Sequence, residues 1–145
     1  MKIKLDQDGI ANEFLEHSFI IGIVAPIKDY TFAWNINQKL GFKFRNNHLE
    51  IQLIKKGRSY FFPVFEFKNM HFGSEYFLYN NHHDGEYLLP EFKHLDFLWM
   101  IKCLDEPPGK AECDALLKNI RLIPAVQLAN ELPVNKIKNK LHLIF

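Results

Sequence analysis

The sequence predicts an α+β domain: a mainly antiparallel sheet with two amphipathic helices on one of its faces. Three observations carry this expectation. Apolar residues alternate with period two in short runs bounded by turn residues, most clearly over 48–54 and 95–102. Two segments, 29–40 and 111–121, instead repeat apolar residues at helical spacing along one side only. The elements also follow in the order strand, helix, antiparallel meander, strand, helix, strand. Each helix can then cover sheet with one side and meet water with the other.

Residues 1–6 set Lys2 and Lys4 against Ile3 and Leu5, the pattern of a short half-buried strand that Gly9 breaks. Residues 10–16 read equally as a helical turn or a loop. The run SFIIGIVAP after His17 is apolar, β-branched and short, which predicts a strand that is central or covered on both sides. Asp29 then stands where an N-cap carboxylate would accept first-turn amides, ahead of a helix over 29–40. Phe32, Ala33, Ile36 and Leu40 form its inner stripe, Trp34 borders it, and Gly41 closes it.

A meander follows. Residues 42–45 predict a short strand and 48–54 an alternating one. Lys55-Lys56-Gly57-Arg58 supplies a hairpin turn, and 59–67 an aromatic returning strand. Pro63 removes a ladder donor from that strand and predicts an edge or bulge there. After a turn over 69–73, residues 74–79 predict a strand, and 80–85 a polar loop with Asp84-Gly85 as its turn.

The stretch LLPEFKHLDFLWMIK, 88–102, feeds a proline-led turn into the strongest strand signal in the chain. Leu95, Phe97, Trp99 and Ile101 alternate with Asp96, Leu98, Met100 and Lys102. A helix beginning at Pro90 is the competing reading, and the aromatic alternation favours the strand. Residues 105–109 turn and 111–121 predict a helix with Cys113, Leu116, Leu117 and Ile120 inward. Residues 125–132 predict a last strand, and a solubilising tail begins at Pro133. Residues 95–132 and 17–54 each resemble a ferredoxin-like β-α-β unit. No repeat or linker divides the chain, so 1–145 reads as a single domain, able to bury about 68–70% of its unfolded surface.

Composition excludes more than it identifies. Lys and Arg number 18 against 17 Asp and Glu, so the net charge of +1 favours neither nucleic acid nor an anionic membrane as partner. The alternating bases Lys136, Lys138, Lys140 and His142, with Arg121 and Arg58 elsewhere, do not change that balance. Acidic residues stand in the opening MKIKLDQDG where a secretory signal needs an apolar run, and no stretch reaches a membrane span. A soluble cytoplasmic protein is therefore expected. Cys103 and Cys113 lack companions at metal-ligand spacing and read as small hydrophobes. No cofactor is expected, because no phosphate-cradling glycine loop exists, and Ser18, Ser59 and Ser74 lack a nucleophile elbow. Aromatics reach 14% of residues, 14 of them Phe, which is more ring surface than a small core readily holds.

Leu89, Pro90 and Glu91, followed by Leu95, Asp96 and Phe97, carry a family resemblance. The chain resembles the IPExxxVDY family of bacterial proteins, known from Bacteroidetes, whose name is this motif. Pro90, Glu91 and Asp96 match it, while Leu89, Leu95 and Phe97 replace its Ile, Val and Tyr. Lys28-Asp29-Tyr30 with Trp34 and Asn35, the run from Ile120 to Pro124, and the closing Leu-Ile-Phe are also similar to the wider family pattern. The resemblance implies a soluble bacterial protein and carries no catalytic residue over. The change to Phe97 removes any phenol from this position.

Two functional classes follow. The first is a non-catalytic protein-interaction or ligand-binding module that self-associates as a homodimer, expected from the aromatic surplus and from sheet edges that need cover. The alternative is a small enzyme using Glu91, His94 and Asp96 as acid/base groups. In a strand, His94 and Asp96 would share a face while Glu91 points away, which favours turn and ion-pair roles. His71, Glu75, His82, His83 and Asp84 form the richest ligand-type set. A six-residue strand spans ~20 Å, too far for one ion at ~2 Å bonds, so no metal site is expected.

Overall fold

The computed structural model describes residues 2–69 and 73–145, with side chains described from Gly9 onward. In chain order the elements are α1 (Lys2–Leu15), β1 (Ser18–Val24), α2 (Asp29–Leu40), β2 (Glu50–Lys55), β3 (Arg58–Asn69), β4 (Ser74–Asn80), β5 (His82–His83) and β6 (Glu86–Tyr87). A 3-10 turn at Pro90–Phe92 precedes β7 (Phe97–Cys103), α3 (Lys110–Arg121) and β8 (Leu128–Glu131). Two further 3-10 turns, Val134–Lys136 and Lys140–Leu143, complete the chain. Six strands form one sheet in the order β2-β3-β4-β7-β1-β8, and every neighbouring pair is antiparallel. The class is α+β, as the patterning predicts.

Alternation sorts the central strands into two cores. Phe97, Trp99 and Ile101 of β7 join Ile21 and Ile23 of β1 on one face. Phe32, Ala33 and Ile36 of α2 pack there, as do Leu116, Leu117 and Ile120 of α3. Both predicted helices therefore share one face. Leu98 and Met100 point the other way, to a second core with Ile20, Phe77 and Tyr79. Leu15 of α1 covers that side together with Ile137 and Leu143 from the C-terminal segment. Each fully buried Leu, Ile or Phe contributes about 1.5–3 kcal/mol, and β7 supplies both layers.

Several local expectations are overturned by these long-range contacts. The strand expected over 1–6 is the start of helix α1 instead, with Met1 outside the described residues. Ala11 and Leu15, four apart, are buried on its inner side, which is helical spacing. Gly9 sits inside this helix at a cost of about 1 kcal/mol relative to Ala. Residues 42–45 form no strand, and only Arg45 makes a bridge, to Glu66. Phe42 and Phe44 instead pack edge-on against Trp99, with ring centroids 5.1 and 5.0 Å away. Asn37 fixes them: its Nδ2 donates to Phe44 O at 3.0 Å, and its Oδ1 accepts from Phe44 N at 2.9 Å.

The turn expected over 69–73 falls in part on residues outside the description. Pro63 lies where β3 changes company. Its first half pairs with β2 up to Pro63, and its second half pairs with β4 from Val64 onward. The missing donor faces β4, where the ladder has ended, and Asn80 Nδ2 takes the Pro63 carbonyl at 3.0 Å. The final strand is shorter than the expected 125–132, and the tail is no mere solubilising appendage, since Ile137 and Leu143 are buried. β7 and β8 flank β1, both antiparallel to it, so they run parallel to each other through α3. The corresponding unit over 17–54 does not form, because β7, β4 and β3 separate β1 from β2. Among the described residues no helix is long and apolar enough to cross a membrane.

Candidate functional site

The segment preceding β7 is held from inside by a residue that sequence patterning places in a polar loop. Asn81 is 0% exposed. Its Nδ2 donates to Phe92 O at 2.9 Å and to Leu95 O at 3.0 Å, and its Oδ1 accepts from Leu89 N at 2.8 Å. Its backbone N donates to Asp96 O at 3.0 Å and its carbonyl accepts from Leu88 N at 2.8 Å. One buried side chain thereby satisfies three backbone groups of a turn that has no ladder of its own. The remaining loop residues form the β5–β6 hairpin, with Asp84 and Gly85 in left-handed conformations at its turn.

Around this clasp each motif residue has a separate structural task. Leu89 is fully buried, and Pro90 opens the 3-10 turn. Leu95 leaves the strand pattern and packs into the second core, against the space Gly22 leaves free. A Cβ at Gly22 would lie 2.6 Å from Leu95 Cδ1, so any larger residue there would force the buried Leu95 side chain to shift. Phe97 stacks on Phe32 of α2 with centroids 4.8 Å apart.

Glu91 holds the C-terminal segment. Its Oε2 accepts from Lys138 N at 2.8 Å and Asn139 N at 3.0 Å, and its Oε1 accepts from Asn139 Nδ2 at 2.7 Å. Burial pushes the carboxyl upward, but the bonds from Asn139 and Lys138 outweigh it and hold the pKa below its ordinary 4.5. His142 adds a second tie, with Nδ1 2.7 Å from Leu88 O.

Asp96 is committed to the backbone near α2: its Oδ2 accepts from Ala25 N at 2.8 Å, and its own N donates to Ile23 O at 2.8 Å. It lines a shallow cleft of about 240 Å³ with Asp29, Asn80, His82 and His83. Asp29 is not the N-cap. Lys28 occupies that position, while Asp29 accepts from Tyr30 N at 2.8 Å and from Asn80 Nδ2 at 3.1 Å. His94 is exposed, its ring 6.5 Å from that of Phe92. Glu91, His94 and Asp96 therefore do not converge. Only Asp96 reaches the cleft, and both Glu91 and Asp96 are taken up by backbone amides.

The ligand-type residues are dispersed as well. Glu75 pairs with Lys68 across β3–β4, His82 stacks on Tyr87 at 4.7 Å, and Asp84 pairs with Arg58. His71 lies outside the described residues. Among the described residues no three His, Cys, Asp or Glu side chains are grouped as a metal would require. Ser18 donates to Leu15 O, Ser59 receives Gln52 Nε2, and Ser74 lies 3.7 Å from the Cys103 thiol. Cys113 is buried, and burial with Glu112 pushes its thiol up to about 11, so it stays protonated as a small hydrophobe would.

A concavity of about 580 Å³ lies between the end of β7 and the start of α3, with Tyr76, Cys103, Asp105, Glu106 and Glu112 in its lining. Burial and then Glu112 raise the pKa of Tyr76, so this setting does not favour a phenolate. The two sheet edges differ sharply. On β8, Arg121 of α3 reaches across to donate from Nε to Ala129 O at 2.8 Å and from a terminal nitrogen to Asn130 Oδ1 at 2.9 Å. On β2 no comparable cover exists among the described residues. No family model, curated protein or solved structure matches this chain.

Proposed function

We propose that this chain is a non-catalytic protein-interaction module that works as a homodimer, a cytoplasmic bacterial protein belonging to the IPExxxVDY family it resembles. One observation carries the reading: large apolar side chains stand in solvent on the side of the sheet that α2 occupies. Tyr30 and Trp34 on the outer side of α2 are 61% and 62% exposed, and Ile54 and Phe61 on the β2–β3 hairpin are 70% and 43% exposed. Phe61 shares a face with Phe65, which lies in the core beneath the helices, because the two are four apart on one strand. Ile54 follows Leu53, which packs on the opposite core, so it too points to the helix side. The hairpin extends past the helical layer and leaves that face bare. Large apolar groups exposed on one side of a sheet mark partner surfaces more often than catalytic ones.

Light scattering coupled to size exclusion tests the reading. The expected mass is twice the 17.2 kDa of the chain. A monomer that persists at high protein concentration contradicts it.

A further inference from the structure

We infer that the second copy joins along the free edge of β2, in antiparallel register, with Glu50 of each copy facing Lys56 of the other. This rests on the self-association proposed above and names its surface. Val64 N donates to Leu49 O at 2.9 Å, and the ladder runs from Glu50↔Pro63 to Lys55↔Arg58. Antiparallel bonding alternates residue by residue, so Leu49, Ile51, Leu53 and Lys55 bond to β3. The N–H and C=O groups of Glu50, Gln52 and Ile54 consequently face away from the sheet. Lys56 and Gly57, both at positive φ, close the hairpin beyond them. No described residue bonds to those outward groups, whereas on the opposite edge Arg121 covers the Ala129 carbonyl of β8.

Charge then selects the occupant and the orientation. Lys55 is engaged by Glu86 at 3.1 Å and Arg58 by Asp84, so the bases flanking the turn are already neutralised. Glu50 at the start of the edge and Lys56 at its end are exposed and make no ion pair among the described residues. A strand that is acidic at one end and basic at the other complements itself only when antiparallel. A two-fold axis at Leu53 sets Glu50 against Lys56 of the second copy and Gln52 against Ile54 of the second copy, and symmetry makes each contact twice. The same arrangement brings the exposed Ile54 and Phe61 of both copies onto one continuous face. That adds apolar contact to a seven-residue pairing, which by itself is small for a stable interface. A charged, open edge is a template for strand addition.

Charge reversal tests this at low ionic strength. Glu50→Lys alone, or Lys56→Glu alone, sets like charges opposite each other twice, and is expected to raise the dimer dissociation constant about tenfold or more. Mixing the two single variants restores both ion pairs, and recovery of native-like affinity as a heterodimer is expected. Ile54→Pro removes an outward N–H that β3 does not use, and is expected to abolish the dimer while the folded monomer's circular dichroism persists. If the native chain dimerises but all of these variants dimerise equally well, the β2 edge is not the interface, while self-association stands. A native chain that stays monomeric overturns both.

Discussion

Asn81→Ala is expected to cost about 4 kcal/mol and to lower the melting temperature by about 10–20 °C. The substitution deletes the donors to Phe92 O and Leu95 O and the acceptor for Leu89 N. Phe92 O keeps the bond from Leu95 N at 3.1 Å, whereas Leu95 O and Leu89 N lose Asn81 as their partner, and each backbone group stranded without water costs about 1–3 kcal/mol. Against a typical domain stability of about 5–15 kcal/mol, that is a large fraction. Asn81→Asp keeps an acceptor for Leu89 N but sets a carboxylate against two carbonyl oxygens. It should be at least as damaging at neutral pH, and its deficit should shrink in acid as the buried carboxyl takes up a proton. The comparison substitution is His94→Ala, which removes an exposed ring and should change stability by less than about 0.5 kcal/mol. A melting curve for Asn81→Ala within two or three degrees of the native one would mean that the turn is held by something else.

Glu91→Gln carries the second large effect, about 2 kcal/mol at neutral pH, because a charged acceptor of three hydrogen bonds becomes a neutral amide whose NH₂ end meets donors. The half-exposed setting of the carboxylate keeps the figure below that of a fully buried charge. Its pH dependence has a definite sign. The folded pKa lies below 4.5, so the carboxylate's contribution is complete above the unfolded value and is lost as pH falls through the folded one. The gap in stability between the native protein and Glu91→Gln should therefore be widest near neutrality and shrink in acid, as pH falls below 4.5 and through the folded pKa. Proteolysis should also reach the C-terminal segment sooner in the variant, because Glu91 ties Lys138 and Asn139 to the turn. A variant that melts normally while function in cells disappears would instead favour the acid/base reading of Glu91, His94 and Asp96.

The elements whose patterns are complete within their own residues were legible in the sequence. β7 and β1 carry unbroken apolar alternation between turn signals, and α2 and α3 carry one-sided stripes ending at Gly41 and near Pro124. α1 was not legible, because Lys-Ile-Lys-Leu alternates like a strand and Gly9 reads as a break, while its burial of Ala11 and Leu15 depends on distant chain. Residues 42–45 have strand composition, yet the aromatic surroundings of Trp99 draw Phe42 and Phe44 out of any ladder.

The candidate site shows the same division. Its residues were found, since the proline turn and its charges are local. Their roles were hidden because the partners are remote: Glu91 meets Asn139 at a sequence separation of 48, and Asp96 meets Ala25 at 71. Asn81 gave no signal at all. An asparagine after a strand and before Asp-Gly looks like any turn residue, and only the packed structure shows that it faces inward.

The central claim is that the segment 88–96 is an integral part of the fold, clasped by Asn81, and not a mobile site loop. Native-state hydrogen exchange measures this directly at the amides of Leu88, Leu89 and Asp96, which bond to Asn81 O, Asn81 Oδ1 and Ile23 O, each at 2.8 Å. The account predicts that all three exchange only through global unfolding, with the same opening free energy as the amides of Leu98 and Met100 in β7. Exchange of these three at rates of exposed turn amides, while β7 stays protected, would contradict it.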